Sequence, residues 1–171
     1  MGRRNFLVEG VSGTGKTAVC DELQRRGYQA VHGDRQLAYQ GDPATGLPVA
    51  GRSHDHHLWR VEQVRALVAD HDAAETFLCG GSRNSAEFIG LLDAVFVLVV
   101  DLDTLRRRLD QRPDDDWGGR GPERDLVERL HQSGKDTPDG IVIDATAPLA
   151  RVVDQILDKA LVSRGRSHDG G

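Results

Sequence analysis

Apolar residues along this chain occur either in short continuous runs or in stripes with helical spacing. The runs predict five β-strands, and the run from Ala94 to Val100 is apolar throughout, which is typical of a strand covered on both faces. The stripes predict amphipathic helices between the strands. The predicted strands are residues 5–9, 28–31, 75–79, 94–100 and 140–143, and the predicted helices are residues 18–26, 53–71, 85–92, 103–111, 123–134 and 148–161.

Strands that alternate with helices predict an α/β fold in which helices cover both faces of a parallel sheet. We therefore expect three layers, α/β/α, around a five-stranded parallel sheet. In such folds ligands bind beyond the carboxyl ends of the strands. Polar and glycine residues do follow the predicted strands, at positions 9–10, 32–35, 79–83, 101 and 144–146.

The composition is that of an ordinary soluble protein: 171 residues, 38% hydrophobic and 29% charged, with a formal net charge of −5. This acidic balance argues against a nucleic-acid partner. The sequence has no apolar run long enough to span a membrane and no signal-peptide pattern. We expect a cytoplasmic protein, a monomer or a dimer without a membrane partner, in which Cys20 and Cys79 are buried, reduced thiols.

The segment from Gly10 to Thr17 reads Gly-Val-Ser-Gly-Thr-Gly-Lys-Thr and fits the phosphate-binding P-loop pattern. A predicted strand precedes it and a predicted helix follows it, which is the context in which this motif forms a site. Glycines let the backbone approach phosphate oxygens closely, and the N–H groups of the loop and of the helix start attract negative charge. The motif predicts that the chain binds a nucleoside triphosphate.

Two side chains of the loop carry the expected chemistry. Lys16 should reach the β- and γ-phosphates, and the hydroxyl of Thr17 should ligate Mg²⁺. The predicted ligands are therefore ATP and Mg²⁺. The predicted phosphate-binding residues are Gly10, Ser12, Gly13, Thr14, Gly15, Lys16 and Thr17.

Over residues 4–161 the chain resembles the small P-loop kinases of metabolites: adenylate and other nucleotide kinases, nucleoside kinases, shikimate and gluconate kinases. The resemblance implies a P-loop NTPase fold and transfer of the γ-phosphoryl group of ATP to a nucleoside, a nucleotide or a hydroxylated metabolite. It also implies one domain over residues 1–162, with an acceptor-binding region at 33–72, a short lid at 112–124 and a flexible tail at 163–171.

The run from Leu78 to Arg83 lies where nucleotide kinases carry an Asp-Gly-x-Pro-Arg element and shikimate kinases carry a glycine run. By similarity Gly80, Gly81 and Arg83 would contact the acceptor. Cys79 departs from the resemblance, because many relatives have an acidic magnesium-shell residue at this place.

Asp34 is the candidate carboxylate for a hydroxyl acceptor, which needs such a group to orient it or to take its proton. It follows the second predicted strand, where related kinases place an acidic residue. The alternative is that Asp34 only caps the following helix. Arg35 beside it is either an acceptor ligand or a solvated surface residue.

His57 and Arg60 are candidate acceptor ligands, because they belong to the helix predicted after the Gly- and Pro-rich loop at 33–51. The run His54-Asp55-His56-His57 has two further interpretations, a polar helix start and a metal group. Trp59 is expected to pack in the core rather than to stack on a base.

The run from Arg108 to Arg112 resembles the Arg-Leu-x-x-Arg element that leads into the lid of these kinases. By similarity Arg108 and Arg112 would bind the nucleotide. The predicted catalytic residues are Lys16, Asp34, Arg112 and the lid residue Arg120, with Arg124 as a second lid arginine able to close on the phosphoryl group. The turn at 144–148 resembles the one that lines the adenine pocket, which makes Thr146 and Pro148 candidate nucleotide ligands.

A non-catalytic nucleotide-binding regulator is the alternative function, and Cys79 in place of a carboxylate supports it. A GTP switch is disfavoured because no Asn-Lys-x-Asp run follows the fourth predicted strand. A motor of the AAA type is disfavoured because the chain is too short to add a helical lid domain.

Overall fold

The computed structural model of the protein describes residues 4–70, 72–113, 120–133 and 137–162, which contain seven strands and six helices. The strands are β1 (Arg4–Glu9), β2 (Gln29–His32), β3 (Ala38–Gln40), β4 (His57–Trp59), β5 (Glu75–Cys79), β6 (Ala94–Val99) and β7 (Ile141–Asp144). The helices are α1 (Lys16–Arg25), α2 (Gly33–Gln36), α3 (Val61–Ala69), α4 (Leu102–Asp110), α5 (Gly121–Ser133) and α6 (Leu149–Val162).

Five of the strands form one parallel sheet in the spatial order β2-β5-β1-β6-β7. The strand β1 lies at the centre, with Val8 opposite Cys79 of β5 and Glu9 opposite Val97 of β6. The carboxyl ends of β1, β2 and β5 therefore meet at one edge of the sheet. The predicted three-layer α/β/α fold with a five-stranded parallel sheet is confirmed.

Alternate residues of β1 point to opposite faces of the sheet and into two separate clusters of buried side chains. Phe6 and Val8 pack with α1 and α6 on one face, and Leu7 packs with Trp59 and Val64 on the other. Burial on both faces explains why the central strands are continuous apolar runs rather than alternating ones.

The structure corrects the helix that the sequence predicts over residues 53–71. Residues 54–56 form a 3₁₀ turn and residues 57–59 form β4, so α3 begins only at Val61. The strand β4 pairs antiparallel with β3, which lies in the segment predicted as a loop at 33–51. This small hairpin places His57 and Trp59 beside the edge of the main sheet.

The predicted short helix at 85–92 is two 3₁₀ turns instead, Ser85–Glu87 and Ile89–Leu91. The tail at 163–171 and the lid residues 114–119 lie outside the described part of the chain. Within that part, none of the helices has both the length and the apolar character that crossing a bilayer requires.

Candidate active site

A cleft of about 660 Å³ opens at the carboxyl ends of β1, β2 and β5. The P-loop forms its floor, α4 and α5 border one side, and residues from α2, the β3–β4 hairpin and the loop after β5 border the other side. Its position is the one expected for ligands of a parallel α/β sheet.

The P-loop needs glycine where its backbone turns. Gly13 has φ 92° and Gly15 has φ 102°, a region that residues with a Cβ rarely adopt. Gly13 also packs tightly, because a Cβ there would lie 2.8 Å from Cδ1 of Leu105 on α4. Gly15 precedes α1 and leaves the first N–H groups of that helix open to the cleft.

Some of the other loop residues line the cleft, and Thr14 is buried within the loop. Ser12, Lys16 and Thr17 line the cleft together with Gly10. Thr14 is buried, and its hydroxyl donates to the carbonyl of Val11 at 2.8 Å, so its role is to hold the loop in shape.

Lys16 and Glu9 form an ion pair at the floor of the cleft. The Nζ of Lys16 lies 3.8 Å from Oε1 of Glu9 and donates a hydrogen bond to the carbonyl of Gly10. Glu9 is 4% exposed, and burial raises its pKa to about 7 although the charge of Lys16 and the N–H of Gly10 act in the opposite direction. From the sequence, position 9 is predicted only as a strand end, and Glu9 is not among the predicted site residues.

Asp34 is held at the cleft by three groups that surround its Oδ1 atom. Trp59 Nε1–H donates to this oxygen at 3.2 Å, the N–H of Gly81 donates at 3.2 Å, and Nε2 of His57 lies 2.9 Å away. These partners come from β4 and from the loop after β5, which are distant in sequence. The residue does not act as a helix cap, since α2 begins at Gly33 and no side-chain cap is formed there.

The electrostatic surroundings keep Asp34 ionised. Burial alone would raise the pKa of Asp34, but the hydrogen bond with His57 and the positive charge of Lys16 outweigh it and hold the pKa below its ordinary value. A carboxylate with one oxygen fully engaged and a side chain 42% exposed can accept a proton or a hydrogen bond from a ligand in the cleft.

The acceptor side of the cleft contains His57, Gly81 and Arg83, all of which the sequence analysis predicts. Arg52 also lines the cleft, and it is not among the site residues predicted from the sequence. Arg52 directly follows the Gly- and Pro-rich loop at 33–51, where no periodic pattern indicates which side chains turn inward. Gln40, Ser53, His54 and Ser82 complete this side.

Several predicted site residues do not line the cleft that the described residues form. Arg35 is exposed on α2, and Arg60 lies over the ring of Tyr39 at 4.9 Å and donates to the carbonyl of Ala38. Gly80 is buried behind Asp34, where a Cβ would lie 2.8 Å from Cγ of that residue. Thr146 and Pro148 are exposed after β7, and the side chain of Thr146 bonds to Asp144.

Two arginines of α4 and of the turn after it meet the P-loop. Arg108 donates to the carbonyl of Thr14 at 3.0 Å and to that of Ala145 at 2.7 Å, so it ties the loop to the end of β7. Arg112 donates to Oγ of Ser12 at 2.7 Å and lines the cleft. Both residues lie where the sequence analysis expects nucleotide ligands.

The lid arginines differ in their surroundings. Arg124 belongs to α5 and forms ion pairs with Asp110 and Glu128, so it faces α4 rather than the cleft. Arg120 is exposed at the start of this helix, next to residues outside the described ranges. The lid role of Arg120 stays a prediction.

Cys79 faces the core and not the cleft. It is 3% exposed, shares a hydrogen bond with Cys20 of α1, and this bond together with burial raises its pKa well above the ordinary value. Both thiols are free. The carboxylate at the cleft floor comes from the end of β1, at Glu9, rather than from the end of β5.

The run at 54–57 does not form a metal group: among the described residues no three His, Cys, Asp or Glu side chains converge on one point. His57 contacts Asp34 instead, and Trp59 is fully buried and stacks on Phe88 with ring centroids 5.6 Å apart. The expectation that Trp59 packs in the core is confirmed.

The fold is similar to those of several solved structures. A gluconokinase from Sinorhizobium meliloti 1021 shares 19% identity, with 98% of each chain covered and a TM-score of 0.56. A shikimate kinase from Bacteroides thetaiotaomicron shares 13% identity over 92% of this chain and 98% of that chain, with a TM-score of 0.58. A sugar kinase from Janibacter sp. HTCC2649 shares 18% identity over 91% of this chain and 93% of that chain, with a TM-score of 0.55. At these identities the likeness shows the fold.

The sequence itself matches one family model, which is described as an AAA domain, over residues 7–131. No curated protein matches the sequence significantly. The motor that the sequence disfavours is an activity, whereas the match to an AAA-domain model shows family membership. The chain belongs to this AAA-domain family of P-loop proteins, on a fold that it shares with small-molecule kinases.

Proposed function

We propose that the protein is an ATP-dependent kinase that transfers the γ-phosphoryl group to a hydroxyl of a small molecule. The observation that carries the proposal is the placement of Lys16 and Asp34 in one cleft, close enough for the charge of Lys16 to lower the pKa of Asp34. Phosphoryl transfer depends on positioning and charge neutralisation, with a carboxylate to orient the attacking hydroxyl.

In this proposal each side of the cleft has its own ligand. The P-loop N–H groups, Lys16 and Arg112 hold the phosphates of the donor, and Arg108 keeps the loop in place. Asp34 orients the acceptor hydroxyl with its free oxygen and takes its proton. The donor phosphates and the acceptor hydroxyl then meet between Lys16 and Asp34, as in-line transfer requires.

The residues present fit a magnesium ion. Mg²⁺ prefers oxygen ligands and is usually held by few protein groups together with phosphates. The hydroxyl of Thr17 lines the cleft beside the P-loop, and the carboxylates of Glu9 and Asp34 line the same cleft. When bound, the ion would neutralise charge on the donor phosphates.

The charges of the acceptor side favour an acceptor that carries an anionic group besides its hydroxyl. Arg52 and Arg83 both line this side. Arginine pairs with carboxylate and phosphate through its planar fork. A phosphorylated or carboxylated hydroxy compound fits this arrangement better than a neutral sugar.

The alternative function, a non-catalytic nucleotide-binding regulator, depends on the lack of an acidic residue at Cys79. This alternative is weakened because two carboxylates line the cleft, Glu9 from the end of β1 and Asp34 from α2. A regulator also has no need for the three groups that fix Oδ1 of Asp34.

The decisive experiment is ATP consumption by the purified protein against a panel of nucleosides, nucleotides, shikimate, sugar acids, sugar phosphates and aminocyclitols. We expect turnover with an anionic hydroxylated acceptor. Tight ATP binding without turnover on any member of the panel would instead favour the regulator.

A further inference from the structure

Ser12 and Arg112 meet at the cleft through a hydrogen bond that the P-loop pattern does not require. Nη1 of Arg112 donates to Oγ of Ser12 at 2.7 Å, although the two residues are 100 positions apart in the chain. Both residues line the cleft. The P-loop pattern leaves position 12 open to any residue, so the motif does not explain the serine.

The hydroxyl of Ser12 is not used to build the P-loop. Thr14 performs that task, because its own hydroxyl donates to the carbonyl of Val11 at 2.8 Å inside the loop. Within the part of the chain that the structure describes, the side chain of Ser12 bonds to Arg112 alone. The hydroxyl of Ser12 therefore serves Arg112 rather than the shape of the loop.

The backbone that carries Arg112 is fixed against the same loop. Leu105 of α4 packs on Gly13, and Arg108 of that helix donates to a P-loop carbonyl at 3.0 Å. Arg112 follows one turn after Arg108, and its N–H bonds back to the carbonyl of Leu109 at 3.2 Å. The freedom that remains at this position is that of the long side chain, and the bond to the loop restrains it.

An arginine that is held in this way can bind a phosphate at a lower entropic cost. An unrestrained arginine side chain samples many rotamers, and a ligand must restrict them when it binds. The guanidinium has five N–H groups, so it can keep its bond to Ser12 while it also contacts phosphate oxygens. The hydroxyl is neutral, so it does not cancel the positive charge of Arg112. Arg124 contrasts with this, because carboxylates of α4 and α5 neutralise it.

We infer that Ser12 is a positioning residue, which orients Arg112 towards the donor phosphates before the nucleotide arrives. The inference deepens the proposed function and rests on it insofar as a nucleoside triphosphate occupies the P-loop. Ser12 strengthens nucleotide binding only through Arg112. Loss of its hydroxyl should therefore weaken binding by about threefold to tenfold, the cost of immobilising one long side chain. The same loss should have no effect in a protein that lacks the arginine.

The test is a double-mutant cycle on the affinity for β,γ-imido-ATP with excess Mg²⁺, measured by titration calorimetry. Arg112→Gln should weaken binding about tenfold or more, because charge-assisted hydrogen bonds to phosphate are lost. Ser12→Ala should weaken binding about threefold to tenfold, and Ser12→Thr, which retains a hydroxyl, should restore most of the affinity. Adding Ser12→Ala to Arg112→Gln should change the affinity by less than about twofold.

Ser85→Ala is the matched control, because Ser85 lies on a 3₁₀ turn after β5 and is not among the described residues that line the cleft. It should leave the affinity unchanged. Thermal unfolding midpoints of all variants separate positioning from a loss of structure. Ser12→Gly, which also removes the hydroxyl, replaces Ser12→Ala if the alanine variant does not fold.

The possible results separate this inference from the proposed function. Unchanged affinity in Ser12→Ala, or an equal loss from Ser12→Ala with and without the arginine, overturns this inference alone. Binding of the analogue by a wild-type protein that turns over no member of the acceptor panel overturns the proposed kinase, while the cycle still decides the role of Ser12. Failure of the wild-type protein to bind the analogue overturns both.

Discussion

Nε2 of His57 lies 2.9 Å from Oδ1 of Asp34 and links the β3–β4 hairpin to the short helix after β2. The same oxygen receives N–H groups from Trp59 and Gly81. This leaves the other carboxylate oxygen for the acceptor. Asp34→Asn keeps the shape and can keep these contacts, but it removes the charge and the capacity to take a proton.

We therefore expect Asp34→Asn to lower kcat by about 100-fold or more, the usual contribution of a general base, while affinity for the nucleotide changes only a few-fold. Steady-state kinetics and nucleotide titration measure the two effects separately. Asp55→Asn, on the exposed 3₁₀ turn, is the control and should leave both unchanged. An equal loss in both quantities would contradict the acceptor role of Asp34.

Lys16→Ala should strongly reduce phosphoryl transfer without unfolding the protein. Removal of a positioned charge from a transition state costs about 100-fold to 1,000-fold in rate, and alanine is a good helix former at the first residue of α1. Turnover and the thermal unfolding midpoint are the two measurements. Lys159→Ala, exposed on α6, is the matched control, and turnover retained by Lys16→Ala would refute the kinase proposal.

The glycine at position 81 allows two carboxylates to approach one backbone. Gly81→Ala should push Glu9 aside, because the added Cβ would lie 2.8 Å or less from its oxygens, and it should also disturb the bond from the Gly81 N–H to Asp34. We expect a loss of about 1–3 kcal/mol in the free energy of unfolding, as for other overpacked sites, together with a lower kcat.

Gly90→Ala provides the comparison for this change, because a Cβ at Gly90 meets no atom within 4 Å. Chemical denaturation of both variants measures the difference. Equal stability of the two variants would show that Glu9 does not press against Gly81 in solution.

Four arginines near the acceptor side differ in whether they line the cleft: Arg52 and Arg83 do, and Arg35 and Arg60 do not. Arg52→Gln and Arg83→Gln should each raise the KM for an anionic acceptor about tenfold or more, since a charge-assisted hydrogen bond is worth about 1.5–3 kcal/mol. Arg35→Gln and Arg60→Gln should leave this KM unchanged, because neither side chain lines the cleft. A raised KM in Arg35→Gln or Arg60→Gln, with an unchanged KM in Arg52→Gln and Arg83→Gln, would contradict this location of the acceptor.

Much of the fold follows from local pattern. The run at 75–79 coincides with β5, and the P-loop glycines have the backbone conformations that the motif requires. The hairpin of β3 and β4 was not predicted, because each of its strands has only three residues. The paired residues Tyr39 and Leu58 are 19 positions apart in the chain. Segments this short have no hydrophobic period that distinguishes a strand from a loop or from the start of a helix. Leu58 fits the apolar stripe of the predicted helix and yet is buried in a strand.

The candidate site was predictable where a motif or the end of a predicted strand marks the position. Lys16 and Thr17 follow from the P-loop, and Asp34 and Arg83 follow from their places after strands. Glu9 had one signal, an acidic residue at the end of an otherwise apolar buried strand. Its burial and its contact with Lys16 arise from the packing of three chain segments, which no local pattern encodes.

Glu9 should also make the stability of the protein depend on pH. Its pKa is about 7 in the folded protein against an ordinary value of 4.5, so the folded state binds the proton more tightly than the unfolded chain. The stability that this tighter proton binding gives the folded state is fully present below pH 4.5. It is lost as the pH rises through about 7, because Glu9 then ionises while it is buried. The difference of pKa corresponds to about 3 kcal/mol.

Glu9→Gln removes the titration and keeps a side chain of similar size. The free energy of unfolding of Glu9→Gln, relative to that of the wild-type protein, should increase by up to about 3 kcal/mol as the pH rises from acid to above 7. Urea denaturation over this pH range measures this difference. Glu87→Gln, at an exposed position, is the control, and its free energy of unfolding should depend on pH in the same way as that of the wild type. Parallel curves for Glu9→Gln and the wild type would mean that Glu9 keeps its charge in the folded protein, with Lys16 compensating fully for its burial.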